Sequence, residues 1–120
     1  MNNLNNRLKG SSYEDVAASF LVSKKYRILE KNYRRKTGEI DIIAEDTEKN
    51  TLVFCEVKYR SGTGRGYPEE AVTASKQARI TRTAMWYLTE KKIGPVRSRF
   101  DVISITGDEI RHIENAFGGF

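Results

Sequence analysis

A chain of 120 residues builds one domain around a continuous core, and nothing in it reads as a linker or an internal repeat. Charged residues make up 31%, above the roughly 25% usual for globular domains, and a net charge of +5 with an isoelectric point near 9.4 favours a polyanionic partner, nucleic acid ahead of an acidic membrane surface. No apolar stretch approaches the roughly 20 residues of a spanning helix, the opening segment is Asn-rich and not signal-like, and one cysteine beside one histidine excludes an internal disulfide and a zinc cluster, so a cytoplasmic protein is expected.

Residues 1–11 carry little apolar surface and are expected to be a flexible N-terminus ahead of a single domain over 12–120. Ser12-x-x-Asp15 resembles a capping box, and Tyr13, Val16, Ala17, Phe20 and Leu21 recur with helical spacing. At about 100° per residue, Glu14 lies about 20° from Leu21, at the margin of the buried stripe and within reach of a sheet. Tyr26 to Tyr33 reads as a strand that turns through the basic Arg34-Arg35-Lys36-Thr37-Gly38 into a second, Gly38-Glu39-Ile40-Asp41-Ile42-Ile43. The polar Asp46-Thr47-Glu48-Lys49-Asn50 is a hairpin loop, and Leu52 to Tyr59 is the third strand. Three glycines with Arg60 and Arg65 then make a basic loop up to Pro68. A helical region follows from about Glu69 to Lys91, with a break near Thr73 to Ser75, and it places Lys76 among Val72 and Ile80 on the apolar side. Gly94-Pro95 ends it, Arg99 to Thr106 is a strand, and Gly107-Asp108 turns into a last one, Glu109 to Glu114. The order is α-β-β-β-α-β-β.

Acids and a lysine occupy strand positions where burial favours valine. Side chains alternate along a strand, so Glu39, Asp41 and Ile43 share one face, as do Phe54, Glu56 and Lys58 on the next strand. With the turn centred between Glu48 and Lys49, residues whose numbers sum to 97 oppose each other: Ile43 with Phe54, Asp41 with Glu56, Glu39 with Lys58. Opposed side chains have Cβ atoms about 4.5 to 5.5 Å apart, where like charges repel. A cation removes that conflict, and two carboxylates at this separation suit Mg²⁺, an oxygen-seeking ion that keeps several waters. Lys58 points at the same place. In this register Glu39 either pairs with Lys58 or orients it.

Asp41, then Glu56-Val57-Lys58, preceded by a helix bearing Glu14, resembles the D…(E/D)-x-K signature of the PD-(D/E)XK nuclease superfamily, which includes restriction endonucleases and Holliday junction resolvases. More closely, the chain resembles the YraN-like bacterial family within it. The residues that carry this span nearly the whole chain: Gly10…Glu14-x-x-Ala17, Asn32-Tyr33-Arg34, Gly38 to Ala44, Phe54-x-Glu56-Val57-Lys58-x-Arg60, Lys76, Arg99-Phe100-Asp101-Val102 and Asn115-Ala116-Phe117. One departure is Ile40 before Asp41, where the signature has proline; resolvase-like members share it. The resemblance implies a restriction endonuclease-like α/β fold, a mixed central β-sheet flanked by α-helices with an αβββαβ core plus one strand. It implies a metal-dependent DNA endonuclease, structure-specific in the resolvase manner. Asp41 and Glu56 would ligate Mg²⁺ or Mn²⁺ with the Val57 carbonyl, Lys58 would stabilise the transition state, and Glu14 would complete the ligand set or hold a second ion. Relatives that act on symmetric junctions make a homodimer a reasonable expectation. The alternative is the same fold kept as a non-catalytic DNA or RNA structure-binding module. A third reading is a protein-contacting adaptor that binds no nucleic acid.

Each feature also has a plainer reading. The acids and Lys58 could form an exposed hairpin with a cross-strand ion pair worth about 0.2 to 1 kcal/mol. Glu14 could complement its helix dipole, and Lys76 could snorkel from Val72 and Ile80 into water or serve the site. Arg34, Arg35 and Lys36 flank one end of the motif strands and Arg60 and Arg65 the other, where phosphates would approach, so phosphate binding is favoured over solvated charge. Arg99 and Asp101 read as a structural pair, His112 as a strand surface residue, Cys55 as a buried small hydrophobe, and Met85, Trp86 and Tyr87 as packing groups.

Overall fold

The computed structural model describes residues 12–60 and 72–118. Its elements are α1 (Ser12–Ser23), β1 (Tyr26–Arg35), β2 (Gly38–Asp46), β3 (Thr51–Arg60), α2 (Ala74–Glu90), β4 (Ser98–Thr106) and β5 (Glu109–Phe117). The strands form one sheet in the order β1-β2-β3-β4-β5, antiparallel except for the parallel β3/β4 pair. A parallel pair needs a long crossover, and α2 lies in that connection. This is the restriction endonuclease-like α/β arrangement, an αβββαβ core with β5 added at the edge. The N-terminal segment 1–11, Arg65 with its glycine loop, the expected helix start at Pro68 and the side chain of Ser12 lie outside the described residues.

Two cores sandwich the sheet. Ala17, Ala18 and Leu21 of α1 close over Tyr26, Ile42, Ala44, Val53, Cys55, Ile103 and Ile105. Ile80, Ala84 and Tyr87 of α2 close over Tyr33, Ile40, Ile43, Phe54, Phe100 and Val102 on the other face. Because β3 is covered on both faces, its first six residues are all buried, as expected of a central strand beside a parallel neighbour. The helical region expected from Glu69 begins, within the described residues, at Ala74. Thr73 caps it by accepting from the Lys76 N–H, which accounts for the break expected there.

The β2/β3 register is the expected one: Ile42 opposes Cys55, Ile43 Phe54, and Asp46 Thr51. The ladder stops at Ile42/Cys55, however, and alternation fails one residue further on. Lys31 and Ile42 face α1, where Lys31 bonds Asp15, yet Tyr33 and Ile40, two residues along their strands, belong to the α2 core. The inversion occurs at Asn32, which is left-handed with φ of +56°, and at Asp41 opposite it. Such a backbone costs energy and persists where its surroundings enforce it.

Three expectations need correction. His112 is no surface group: its side chain is 3% exposed and bonds Asp101 Oδ2 at 2.7 Å. Met85 and Trp86 do not pack inward: they are 53% and 49% exposed, and only Tyr87 of that trio is buried. The last strand runs to Phe117, past Glu114, because a bulge lets it continue: Val102 opposes Ile113 but Phe100 opposes Phe117, with Asn115 at φ of +55° inside the extra length.

Candidate active site

The inversion at Asp41 gathers acids. One carboxylate oxygen each from Glu14, Glu39 and Asp41 lies within 4.8 Å of the others, so the first turn of α1 does reach the sheet. Asp41 Oδ2 accepts the Val57 N–H at 2.7 Å, a main-chain donor that a continued ladder would have given to β2 backbone. Burial, and then the nearby charge of Glu56, pushes the Asp41 carboxyl up to about 7; the Val57 N–H opposes this, and Glu14 and Glu39 add to it. Burial likewise raises Glu14, against a hydrogen bond from Asn32. Glu14 Oε1 is buried and has no hydrogen-bond partner. An orphaned buried carboxylate oxygen beside two more acids is a set that a hard cation would complete.

Glu56 is arranged differently. Its side chain is buried, and its Oε2 sits 2.7 Å from Lys76 Nζ and 3.3 Å from Lys58 Nζ. Burial lowers the Lys76 pKa, but the bond to Glu56, the charges of Glu56 and Asp41 and the neighbouring Lys58 together outweigh it and the amine ends up raised, hence charged. Lys76 thus turns its amine to Glu56 at the cleft wall. The expected contact of Glu39 with Lys58 does not form. Glu39 pairs instead with Arg34 at 3.3 Å, because the ladder has ended before these positions. Glu39, Asp41, Glu56, Lys76, Arg79 and Ile80 line a cleft of about 210 Å³.

Of the expected phosphate contacts, Arg34 is held loosely by Glu39, whereas Arg35 is bonded to Glu90 through both Nε and Nη2 and stacks on Tyr33. Lys36 is exposed on the β1/β2 turn, and Arg60 closes β3. Arg65 lies outside the described residues. Two residues of the site had no role assigned from sequence. Asn32 lies beside Glu14 and opposes the rise in its pKa, and an asparagine within a strand of otherwise ordinary composition was the available signal. Arg79 borders the cleft from α2, one turn after Lys76.

A family model described as "Uncharacterised protein family UPF0102" matches residues 13–105. The chain belongs to that family. A UPF0102 protein of Persephonella marina is 47% identical over 110 residues, covering 92% of this chain and 93% of its own length. One from Lachnoclostridium phytofermentans is 45% identical over 118 residues, covering 98% of each chain. Another from Fusobacterium nucleatum is 43% identical over 116 residues, covering 97% and 96%. UPF0102 is the YraN-like family that the motif residues indicate, and the matched span holds every residue of the cleft. No helix among the described residues is long and apolar enough to cross a membrane.

Proposed function

We propose that this UPF0102 domain is a metal-dependent DNA endonuclease of the cytoplasm, hydrolysing phosphodiester bonds in branched or flapped substrates. The observation that carries the proposal is the Asp41 carboxyl: half-buried, raised to about 7, and surrounded by Glu14, Glu39 and Glu56 with a single N–H in compensation. Perturbation of this kind, inside a cleft, marks functional sites more often than structural ones. Asp41, Glu56 and Glu14, with the Val57 carbonyl, would hold Mg²⁺ or Mn²⁺, with Glu39 at the rim. Bound there, the cation supplies Lewis-acid polarisation of the scissile phosphate and lowers the pKa of water.

The side chains do the rest. Asp41 loses its proton as a cation binds, so affinity should fall as pH drops below about 7. Lys58 brings a positive charge to the place where negative charge builds on phosphorus oxygens. Lys76, bonded to Glu56 in the metal-free protein, would be freed toward the substrate when Glu56 turns to the cation. Arg79 and the turn cations Arg34 and Lys36 would receive neighbouring phosphates. The test is cleavage of linear, flapped and four-way DNA with Mg²⁺ or Mn²⁺. Activity is expected to be lost in Lys58→Ala while metal binding survives; wild-type turnover in that variant would remove Lys58 from the mechanism.

One observation favours a second reading. Both lysines already neutralise Glu56 Oε2, and a cleft balanced in this way could bind a nucleic-acid structure without cutting it. Salt-sensitive binding with no cleavage in either metal would select that reading.

A further inference from the structure

We infer that the outer face of α2 is a stacking subsite for an unpaired base of single-stranded DNA, continuous with the acid cleft. Met85 and Trp86 stand exposed there, and together with Thr37, Arg82 and Thr89 they line an open groove of about 330 Å³. Arg79, Arg82 and Trp86 follow one another at intervals of three and four residues, so they form one stripe down the helix. Arg79 is also a wall of the acid cleft, which joins the two sites.

The β1/β2 turn closes the other side. Thr37 Oγ1 bonds Thr83 Oγ1 at 2.7 Å. Gly38, at φ of +149°, lies so close to α2 that a Cβ there would stand 3.2 Å from Thr83 Oγ1. The basic turn with exposed Lys36 is thereby fixed beside the groove. Charge identifies the occupant. α2 carries Lys76, Arg79 and Arg82 and no acid before Glu90, which is already taken by Arg35 and Tyr33. An exposed indole on one stripe with Arg79 and Arg82, neither of which has an acidic partner among the described residues, fits a polyanion that presents flat apolar faces. Duplex DNA hides those faces in its own stack, whereas an unpaired strand offers them, and aromatic side chains stack on such bases without sequence preference. A protein partner or a second copy of this chain would need acids facing Arg79 and Arg82.

The inference rests on the nuclease reading for its direction, since it names a single-stranded flank as the part of the substrate lying beyond the cleft, but its contact can be measured without turnover. Trp86 is the chain's single tryptophan, so its fluorescence reports on this groove alone. The full chain in EDTA is titrated with oligothymidylate, with a duplex bearing a single-stranded tail, and with blunt duplex. The first two should quench the indole and the blunt duplex should not. Trp86→Ala should weaken oligothymidylate binding by about 5- to 150-fold. Trp86→Phe should retain part of that affinity, and both variants should melt with wild type because the side chain is half exposed. Unchanged fluorescence, or Trp86→Ala binding all three DNAs like wild type, would overturn the inference. So would Trp86→Ala turning a dimer into a monomer with DNA affinity unaltered, which would make the face a contact between copies. Quenching in a protein that cleaves nothing would sustain this subsite and sink the nuclease reading; cleavage with a silent Trp86 would do the reverse.

Discussion

Asp41 is a half-buried and Asp101 a fully buried acid of one sheet, and their surroundings push them in opposite directions. Asp101 is fully buried, and each of its oxygens is answered: Oδ1 by Arg99 Nε at 3.0 Å and the Asn115 N–H at 2.9 Å, Oδ2 by His112 Nε2 at 2.7 Å. Arg99 also bonds Asp46 at 3.1 Å, and Lys24 Nζ lies 3.0 Å from the far nitrogen of His112. Burial alone would raise Asp101, but His112, Arg99 and the Asn115 N–H outweigh it and its pKa falls. Asp41 has one N–H and three neighbouring carboxylates, and its pKa climbs to about 7. The first cluster closes the fold around the β4/β5 bulge. The second is left incomplete: Glu39 is answered by Arg34 and Glu56 by Lys58 and Lys76, whereas Asp41 has only the Val57 N–H and Glu14 Oε1 has no partner among the described residues. An acid held in that way is sustained by the stability of the rest of the molecule, as active-site groups commonly are.

The largest effect should come from breaking the complete cluster. Arg99→Ala strands Asp46 and Asp101 in a buried setting and should cost about 3 to 5 kcal/mol in denaturant unfolding, with no rescue by Mg²⁺. Breaking the incomplete cluster should do the opposite. The folded-state pKa of Asp41 is raised, so the stability its proton contributes is present below the unfolded value of 3.8 and lost as pH rises through about 7. Asp101 is depressed, so its contribution is present above 3.8 and lost as pH falls through its lower folded value. Melting temperature should therefore decline from pH 5 to pH 8 in metal-free wild type, and Asp41→Asn should flatten that decline. An unaltered pH profile in Asp41→Asn would contradict the raised carboxyl.

The two neighbouring arginines divide along the same line. Removing Arg35 breaks its bonds to Glu90 and should lower stability, while removing Arg34 or Lys36 should leave stability alone and reduce the salt slope of DNA binding by about 0.9 per lost phosphate contact. Equal slopes in wild type and both variants would take the turn out of the interface. Glu14→Gln should show the smallest change, a slight gain in metal-free melting temperature at pH 8 because a charge beside Asp41 disappears.

Much of this was legible in the chain. The β2/β3 register followed from turn position alone, since Ile43 does oppose Phe54, and the pairing of Arg99 with Asp101 followed from strand alternation. Alternation also misled where the backbone leaves it. Glu39 was expected opposite Lys58, but the β2/β3 ladder ends at Ile42/Cys55 where the faces invert at Asn32 and Asp41, and a left-handed residue within a strand has no signature in a period-two pattern. His112 looked exposed because an edge strand with polar alternation does not declare which face a helix covers; Phe20 and Tyr26 of the α1 side pack against it. Trp86 looked like core because large aromatics usually are, and only the angular position of α2 on the sheet turns it outward. Glu14 was legible as a margin residue, but its meeting with Glu39 and Asp41 depends on a tertiary approach that no local pattern encodes.

The proposal stands on Asp41 as a metal ligand, and calorimetry of wild type and Asp41→Asn at pH 8, with and without Mg²⁺ or Mn²⁺ at identical ionic strength, tests it most directly. A ligand at 100 times its dissociation constant adds about 2.7 kcal/mol to native stability. Wild type should gain melting temperature with metal, whereas Asp41→Asn should melt at or above wild type without metal and lose most of that gain. An equal metal-induced shift in both proteins would contradict the account and leave Asp41, Glu56 and Lys58 as a charged hairpin with no ion to hold.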